Sequence, residues 1–204
     1  MKVNTNRWNK IRYTLYTPFY DTVARYFSDS RKKSIESLGI KNGDKVLIIG
    51  AGTGLDLDFS PTGCEITATD ITPSMVESIK RRNLILKLNL NAMAMDGQAL
   101  LFPDTTFDKI ILHLILAVIP DPVACIQEAE RVLKPGGQIT VFDKFVKKNR
   151  SVSLLRRMFN LLTNLFFSDI TRYFESIAKE TKLTVVSDND ANFNGNFRII
   201  KLSK

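Results

Sequence analysis

From residue 45 onward, short β-branched apolar runs alternate with longer stretches in which apolar residues return every three or four positions. The short runs predict seven strands: KVLIIG (45–50), EITATD (65–70), NAMAMD (91–96), FDKIILH (107–113), QITVFDKF (138–145), LTVVSD (183–188) and FRIIKL (197–202). Strands that alternate with helical patterns imply a mostly parallel sheet covered by helices on both faces. The last two runs are separated only by the turn-rich NDANFNGN (189–196), so they should pair as an antiparallel hairpin. The expected fold class is therefore α/β, a doubly wound seven-stranded sheet with its last strand antiparallel.

Two helices announce their own starts. Thr72 is the expected N-cap of a helix with Pro73 at its first position and Met75, Val76 and Ile79 on one face. Asp121 and Pro122 open another, in which Val123, Ile126, Ala129, Val132 and Leu133 recur at helical spacing until Pro135, Gly136 and Gly137 stop it. No repeat, low-complexity tract or Pro/Gly-rich linker divides the chain, so 1–204 is read as one domain. Within it, 1–44 is expected as an N-terminal helical cap, 45–145 as the central core, 146–180 as lid or cap helices and 181–204 as the C-terminal hairpin. The caps, from the N-terminus and residues 151–179, should lie over the carboxyl ends of the strands.

Composition agrees with a folded domain: 204 residues, 44% hydrophobic and 25% charged, are ordinary for a globular chain. Cys64 and Cys125 are too few for a disulfide framework and read as buried thiols of a reducing cytosol. No Cys/His spacing suits a metal, and the N-terminus lacks the apolar stretch and cleavage site of a secretory signal. The expected location is cytoplasmic. The net charge of +8 is uneven: residues 1–45 carry 10 basic and 4 acidic side chains, 46–143 carry 7 and 12, and 144–204 carry 12 and 5, giving +6, −5 and +7. Two basic flanks around an acidic centre either present a positive face to an anionic partner, such as a phospholipid surface or nucleic acid, or are simply solvated.

VLIIGAGTG (46–54) sets a glycine-rich turn directly after a buried strand, and Gly50, Gly52 and Gly54 let a ligand approach the backbone closely. Asp70 ends the next strand, where a carboxylate can accept hydrogen bonds from a ribose diol. The loop continues Gly54-Leu55 and has no third glycine at the dinucleotide spacing, which disfavours a nicotinamide or flavin dinucleotide. GAGTG, TATD, DGQALLFPDTTFDKI, AVIPDP and ERVLKPGGQITVFD, in that order, resemble the class I S-adenosylmethionine-dependent methyltransferases over roughly 45–145. That resemblance implies a Rossmann-like sheet and S-adenosyl-L-methionine as methyl donor. Ile48 departs from the family, which usually has an acidic residue two positions before the first glycine.

By the same resemblance, Gly50, Ala51, Gly52 and Gly54 pass under the methionine part of the donor and Asp70 takes the ribose hydroxyls. Ile71 lies against the adenine, and Asp96, Gly97 and Gln98 form the turn at its edge, with Asp96 accepting from the exocyclic amine. Leu112, at the end of the fourth strand, completes the donor-binding set. Phe19-Tyr20-Asp21 resembles the N-terminal aromatic that closes over the donor, which makes Tyr20 the expected gate. For Asp70 and Asp96 the alternative is a helix cap or turn former, and for the N-terminal aromatics a plain place in the core.

Methyl transfer from a sulfonium needs mainly proximity, alignment and exclusion of water, so a dedicated catalytic side chain is optional. His113, the single histidine, ends the fourth strand and is the candidate catalytic base; its apolar neighbours favour the alternative, a packed or backbone-contacting residue. No N-P-P-Y or D-P-P-Y string follows that strand, which tells against methylation of exocyclic amines of bases. Residues 151–179 combine Leu154, Leu155, Met158, Phe159, Leu161, Leu162, Leu165, Phe166 and Phe167 with the nearby Lys147, Lys148, Arg150, Arg156 and Arg157. Their longest charge-free run, 158–168, has eleven residues, well short of the ~20 that span a bilayer. It suits a membrane-surface helix, a lid over an apolar pocket, or a helix pair packed on the sheet. Within the family the motifs most resemble small enzymes acting on phosphatidylethanolamine or isoprenoid quinones. The expected acceptor is thus a small molecule or lipid, with possible peripheral contact to an anionic membrane, such as an inner membrane face. The alternatives are an RNA-modifying methyltransferase and a non-catalytic methyltransferase-like subunit.

Overall fold

A computed structural model describes residues 4–146, 160, 163, 168–193 and 195–204, with the backbone alone at 17–20 and 22–24. Its strands are β1 (Lys45–Ile49), β2 (Glu65–Asp70), β3 (Leu90–Ala94), β4 (Phe107–His113), β5 (Leu133–Lys144), β6 (Thr184–Asp190) and β7 (Phe197–Ser203). They form one sheet in the order β3-β2-β1-β4-β5-β7-β6. The first five strands pair in parallel, and β7 runs antiparallel to both β5 and β6. The expected doubly wound sheet and closing hairpin are both present. From β1 the chain winds outward first to β2 and β3 and then to β4 and β5, so the direction reverses beside β1 and opens a crevice at the carboxyl ends of β1 and β4.

The helices whose bounds fall among the described residues are α1 (Asn6–Ala24), α2 (Ser28–Ser37), α3 (Pro73–Leu86), α4 (Pro122–Val132) and the short α5 (Phe174–Ala178). The central strands carry apolar residues on both sides because both sides are covered. Val46 and Ile48 of β1 join Ile35 and Leu38 at the end of α2 and Ile79 of α3 on one face. Leu47 and Ile49 join Ile126 and Ala129 of α4 and Phe174 and Ile177 of α5 on the other. At ~25 cal/mol per Å² of apolar surface, these two clusters are the main stabilising term of the fold. Cys64 and Cys125 are buried free thiols, and burial pushes both above their ordinary value.

Two expectations need correction. Pro135-Gly136-Gly137 does not end α4: the helix stops at Val132 because Leu133 already pairs with Phe107, and β5 runs through the Pro-Gly-Gly stretch with a register shift. Thr72 is the N-cap residue of α3 as expected, its carbonyl accepting the Met75 and Val76 amides, and its side chain makes no cap bond. Of the expected N-terminal cap, α2 lies on the sheet face, since Ser34, Ile35 and Leu38 are buried there, and only α1 reaches the crevice. The expected cap residues 151–159, 161, 162 and 164–167 lie outside the described residues, as does the side chain of Tyr20.

Candidate functional site

Each element that meets the crevice ends there for a local reason. After β1 the backbone must turn through left-handed conformations at Gly50 (φ +68°), Gly52 (φ +58°) and Gly54 (φ +83°), which side chains disfavour. A Cβ on Gly50 would stand 2.6 Å from Ile115 Cδ1, so the loop and the 114–119 wall face each other at contact distance only because this residue is glycine. Gly97 is constrained similarly, since a Cβ there would meet Ile49 Cγ2 at 2.7 Å. At the end of β4, Leu114 adopts φ +58° and its amide bonds Phe142 O at 2.8 Å. That turn sends Leu114 and Ile115 into the crevice.

The crevice is a narrow cavity of about 60 Å³ that opens to solvent, smaller than the ~300–1,000 Å³ usual for small-molecule sites. Gly50, Gly52, Asp70, Ile71, Asp96 and Gly97 all line it, so six of the residues singled out from sequence are brought together. Asp70 Oδ2 accepts the Gly52 amide at 2.9 Å and Oδ1 accepts the Thr72 amide at 2.8 Å. One backbone bond per oxygen leaves further lone pairs. Burial pushes the Asp70 carboxyl above its ordinary value, against the two amide bonds that favour the ionised form. Asp96 Oδ1 accepts from the Gln98 amide at 3.0 Å and from Gln98 Nε2 at 2.9 Å, and Oδ2 accepts from Asn6 Nδ2 at 2.5 Å. Gln98 supports the turn, also reaching Asn6 Oδ1 and the Asp121 amide.

Five expected residues do not line the cavity, Gln98 among them because it stands behind Asp96. Ala51 is packed among the core residues, its amide on Thr69 O. Gly54 caps the 3-10 turn Leu55–Phe59 and sits against Leu57 and Ile79. Leu112 is fully buried in the α4-side core, because alternation along β4 points it opposite to His113. His113 itself is 3% exposed and lies under α2. Its Nδ1 is 2.7 Å from Asp56 Oδ1 and its Nε2 is 2.9 Å from Ser34 Oγ, while Thr140 Oγ1 lies 2.7 Å from that same Ser34 oxygen. The spacing matches a Ser-His-Asp triad, but the three side chains are sealed in the protein and meet no substrate. His113 as the catalytic base is thereby corrected: both ring nitrogens are engaged and neither reaches the cavity.

Asp56 also takes Arg31 Nη1 at 2.7 Å. Burial alone would raise its carboxyl, yet Arg31 and His113 outweigh it and hold the group well below the usual carboxylate range. An ionised Oδ1 can only accept, so His113 Nδ1 carries a proton there. If the ring is neutral, Ser34 donates to Nε2 and Thr140 donates to Ser34.

Other residues line the cavity that sequence patterns did not single out for it: Asn6, Asn9, Tyr13, Thr72, Met75, Met95, Val118 and Ile119, besides Leu114 and Ile115. Asn6, Asn9 and Tyr13 recur at helical spacing on the inner side of α1, a signal hidden by the stronger aromatic pattern around them. Asp21, further along α1, bonds Thr53 Oγ1 of the glycine loop and, at 2.5 Å, Arg82 Nη2 of α3. α1 is thus fixed at both ends of the crevice. Asn9 Oδ1, a buried polar atom in the lining, has no partner among the described residues, and Thr72 Oγ1 lies beside the Asp70 carboxyl. With the spare acceptor positions on Asp70, they fit a polar ligand bearing hydroxyl and amino groups.

A family model described as a methyltransferase domain matches residues 47–141. The chain is 23% identical over 189 residues to a phosphatidylethanolamine N-methyltransferase of Cereibacter sphaeroides, covering 91% of this chain and 92% of that one. It is 37% identical over 120 residues to the ubiquinone/menaquinone biosynthesis C-methyltransferase UbiE of Pasteurella multocida, covering 55% of this chain and 44% of that one. The chain therefore spans less than half the length of that quinone methyltransferase and nearly all of the phospholipid one. Among solved structures it resembles the [4+2]-cyclase SpnF, with a TM-score of 0.78 at 18% identity over 94% of this chain and 77% of that one, a likeness of fold alone.

Proposed function

We propose that the chain, similar over 47–141 to a methyltransferase domain, is a class I S-adenosylmethionine-dependent methyltransferase and moves the donor's methyl group to a small lipophilic acceptor, a phospholipid amine or a quinone ring. S-adenosyl-L-methionine, when bound, supplies a methyl already activated on a sulfonium. What remains for the protein is to bind, align and dry the site.

In this reading the Asp70 carboxylate accepts from the two ribose hydroxyls, its backbone bonds holding both oxygens in one plane. Asp96 accepts from the adenine amine, held by Gln98; Ile71 and Gly97 flank the ring. Gly50 and Gly52 bring the backbone against the methionine end, with Ala51 and Gly54 shaping the loop rather than touching the ligand. Tyr20 keeps the proposed role of gate. The Leu114, Ile115, Val118 and Ile119 side chains present an apolar wall that excludes water. With His113 withdrawn, no side chain is assigned as base, and an acceptor amine would lose its proton to solvent or to its own medium.

The single observation that carries the reading is the convergence of Asp70, Asp96 and the glycine loop on one cavity. The lipophilic acceptor draws support from the phosphatidylethanolamine and quinone methyltransferases that the chain resembles and from the basic, Leu/Phe-rich run at 147–167. No described helix is long and apolar enough to cross a membrane, so contact with an anionic bilayer is proposed as peripheral. Labelled donor incubated with a total cell extract, then fractionated, tests the acceptor. Label in the lipid fraction is expected; label confined to the RNA fraction overturns it, and no transfer despite donor binding favours a non-catalytic subunit.

A further inference from the structure

The wall at 114–119 belongs to no helix or strand, so its position rests on individual bonds. Its buried backbone groups must find partners, and among the described residues each carbonyl from 115 to 119 has one. Ile115 O accepts the Val118 and Ile119 amides at 2.9 and 2.8 Å. Leu116 O and Ile119 O both accept from Arg172 Nη1, the second at 2.8 Å. Ala117 O accepts the Asp169 amide at 2.7 Å, and Val118 O accepts Asn4 Nδ2 at 2.7 Å. The Ala117 amide in turn donates to Asp143 Oδ2 at 2.9 Å. Asp169 Oδ2, 3.5 Å from Arg172 Nε, orients the guanidinium plane.

Resting on the donor site proposed above, we infer that Arg172 is a positioning residue for methyl transfer: it holds the cavity wall facing the glycine loop and ties that wall to the chain running through 168–172. One guanidinium nitrogen spans Leu116 O and Ile119 O of the buried turn, so Arg172 sets its curvature. Ile115, the side chain in contact with Gly50, lies beside that turn. A lysine lacks the planar fork and the Nε contact that fixes its direction. Losing Arg172 therefore displaces the wall without removing any group that touches the ligand.

Arg131 supplies the control. It likewise caps two loop carbonyls, Leu100 O and Phe102 O, at 2.9 and 2.8 Å, and neither of those residues lines the cavity. The experiment is calorimetric titration of wild type, Arg172→Lys and Arg131→Lys with S-adenosylhomocysteine, beside thermal unfolding of each. The expected result is roughly tenfold weaker binding for Arg172→Lys, as for loss of one charge-assisted bond, and unchanged binding for Arg131→Lys at a similar loss of Tm. Millimolar methylguanidinium should restore binding to Arg172→Ala and not alter Arg131→Ala. Equal effects at both arginines, or wild-type affinity in Arg172→Lys, overturn the positioning role and leave the donor site standing. Failure of the wild type to bind overturns the donor site and this inference with it. If Arg172→Lys does not fold, Asp169→Asn, which frees the guanidinium plane, is expected to weaken binding several-fold, and unchanged affinity there overturns the proposal.

Discussion

Two aspartate clusters lie on either side of the glycine loop, and they differ in what their oxygens have left to do. Asp70 and Asp96 are half-buried, face the cavity and keep lone pairs beyond their bonds to backbone and to Gln98 and Asn6. Asp56 is 1% exposed, and one of its oxygens already serves both Arg31 and His113. Residue type does not separate them: the Asp56 cluster carries the only histidine and the geometry of a catalytic triad. What separates them is access to a ligand, which makes one cluster a binding surface and the other a clamp between α2, β4, β5 and the turn that follows the glycine loop.

The largest effect expected from this contrast is on folding. Asp56→Ala leaves Arg31 and His113 buried without their anion, and breaking a buried pair from one side costs about 3–5 kcal/mol. Urea denaturation should show that loss with no change in donor affinity of the folded fraction. Asp70→Ala should do the reverse, weakening S-adenosylhomocysteine binding by about 1–3 kcal/mol, the worth of hydrogen bonds to a charged group, with a smaller change in stability. A variant of either kind that behaves like the other breaks the division.

His113→Gln sharpens it. A positioned general base contributes roughly 10²–10⁴-fold to rate, so a drop of that size in kcat would return His113 to the catalytic step. The expected outcome is a kcat within several-fold of wild type and a stability loss of about 1–3 kcal/mol, from buried hydrogen-bond partners left unmatched. The measurement is single-turnover transfer compared at matched folded fraction.

How far the sequence could be read follows the same line. Strand ends were legible to within a residue or two at β1, β2, β4 and β7, because apolar runs on both faces have one meaning in a covered sheet. The end of α4 was not, since Leu133 continues the helical spacing while its backbone pairs with Phe107. Gly50, Gly52, Asp70, Ile71, Asp96 and Gly97 were legible as a set because local turns aim them, each within a few residues of a strand end. His113 and Leu112 were misread because strand alternation sends them to opposite buried faces, and Ser34 and Arg31, which claim the histidine side, lie some 80 residues earlier. Arg172 carried no signal at all, since its targets are backbone carbonyls.

The smallest expected effect is on pH dependence. Burial raises the folded-state pKa of Asp70 above its ordinary value of 3.8. Between that value and the raised one, the folded chain holds the proton more tightly than the unfolded chain. The stability this gives is present in acid below the ordinary value and is lost as pH rises through the folded-state value. Asp143 is raised by burial as well and adds to the same trend, so stability alone cannot isolate Asp70. Donor binding by the wild type beside Asp70→Asn can, because Asp143, which holds the Ala117 amide of the cavity wall, is common to both. The ionised carboxylate accepts stronger bonds from hydroxyls than the neutral acid does. S-adenosylhomocysteine affinity should therefore rise with pH through a midpoint above the ordinary value of 3.8. Asp70→Asn should flatten that rise while Asp96→Asn leaves its midpoint in place. A titration of the wild type that is level across about pH 4–8 would mean that Asp70 takes no hydrogen bond from the ligand, and the contrast with Asp56 would then reduce to burial alone.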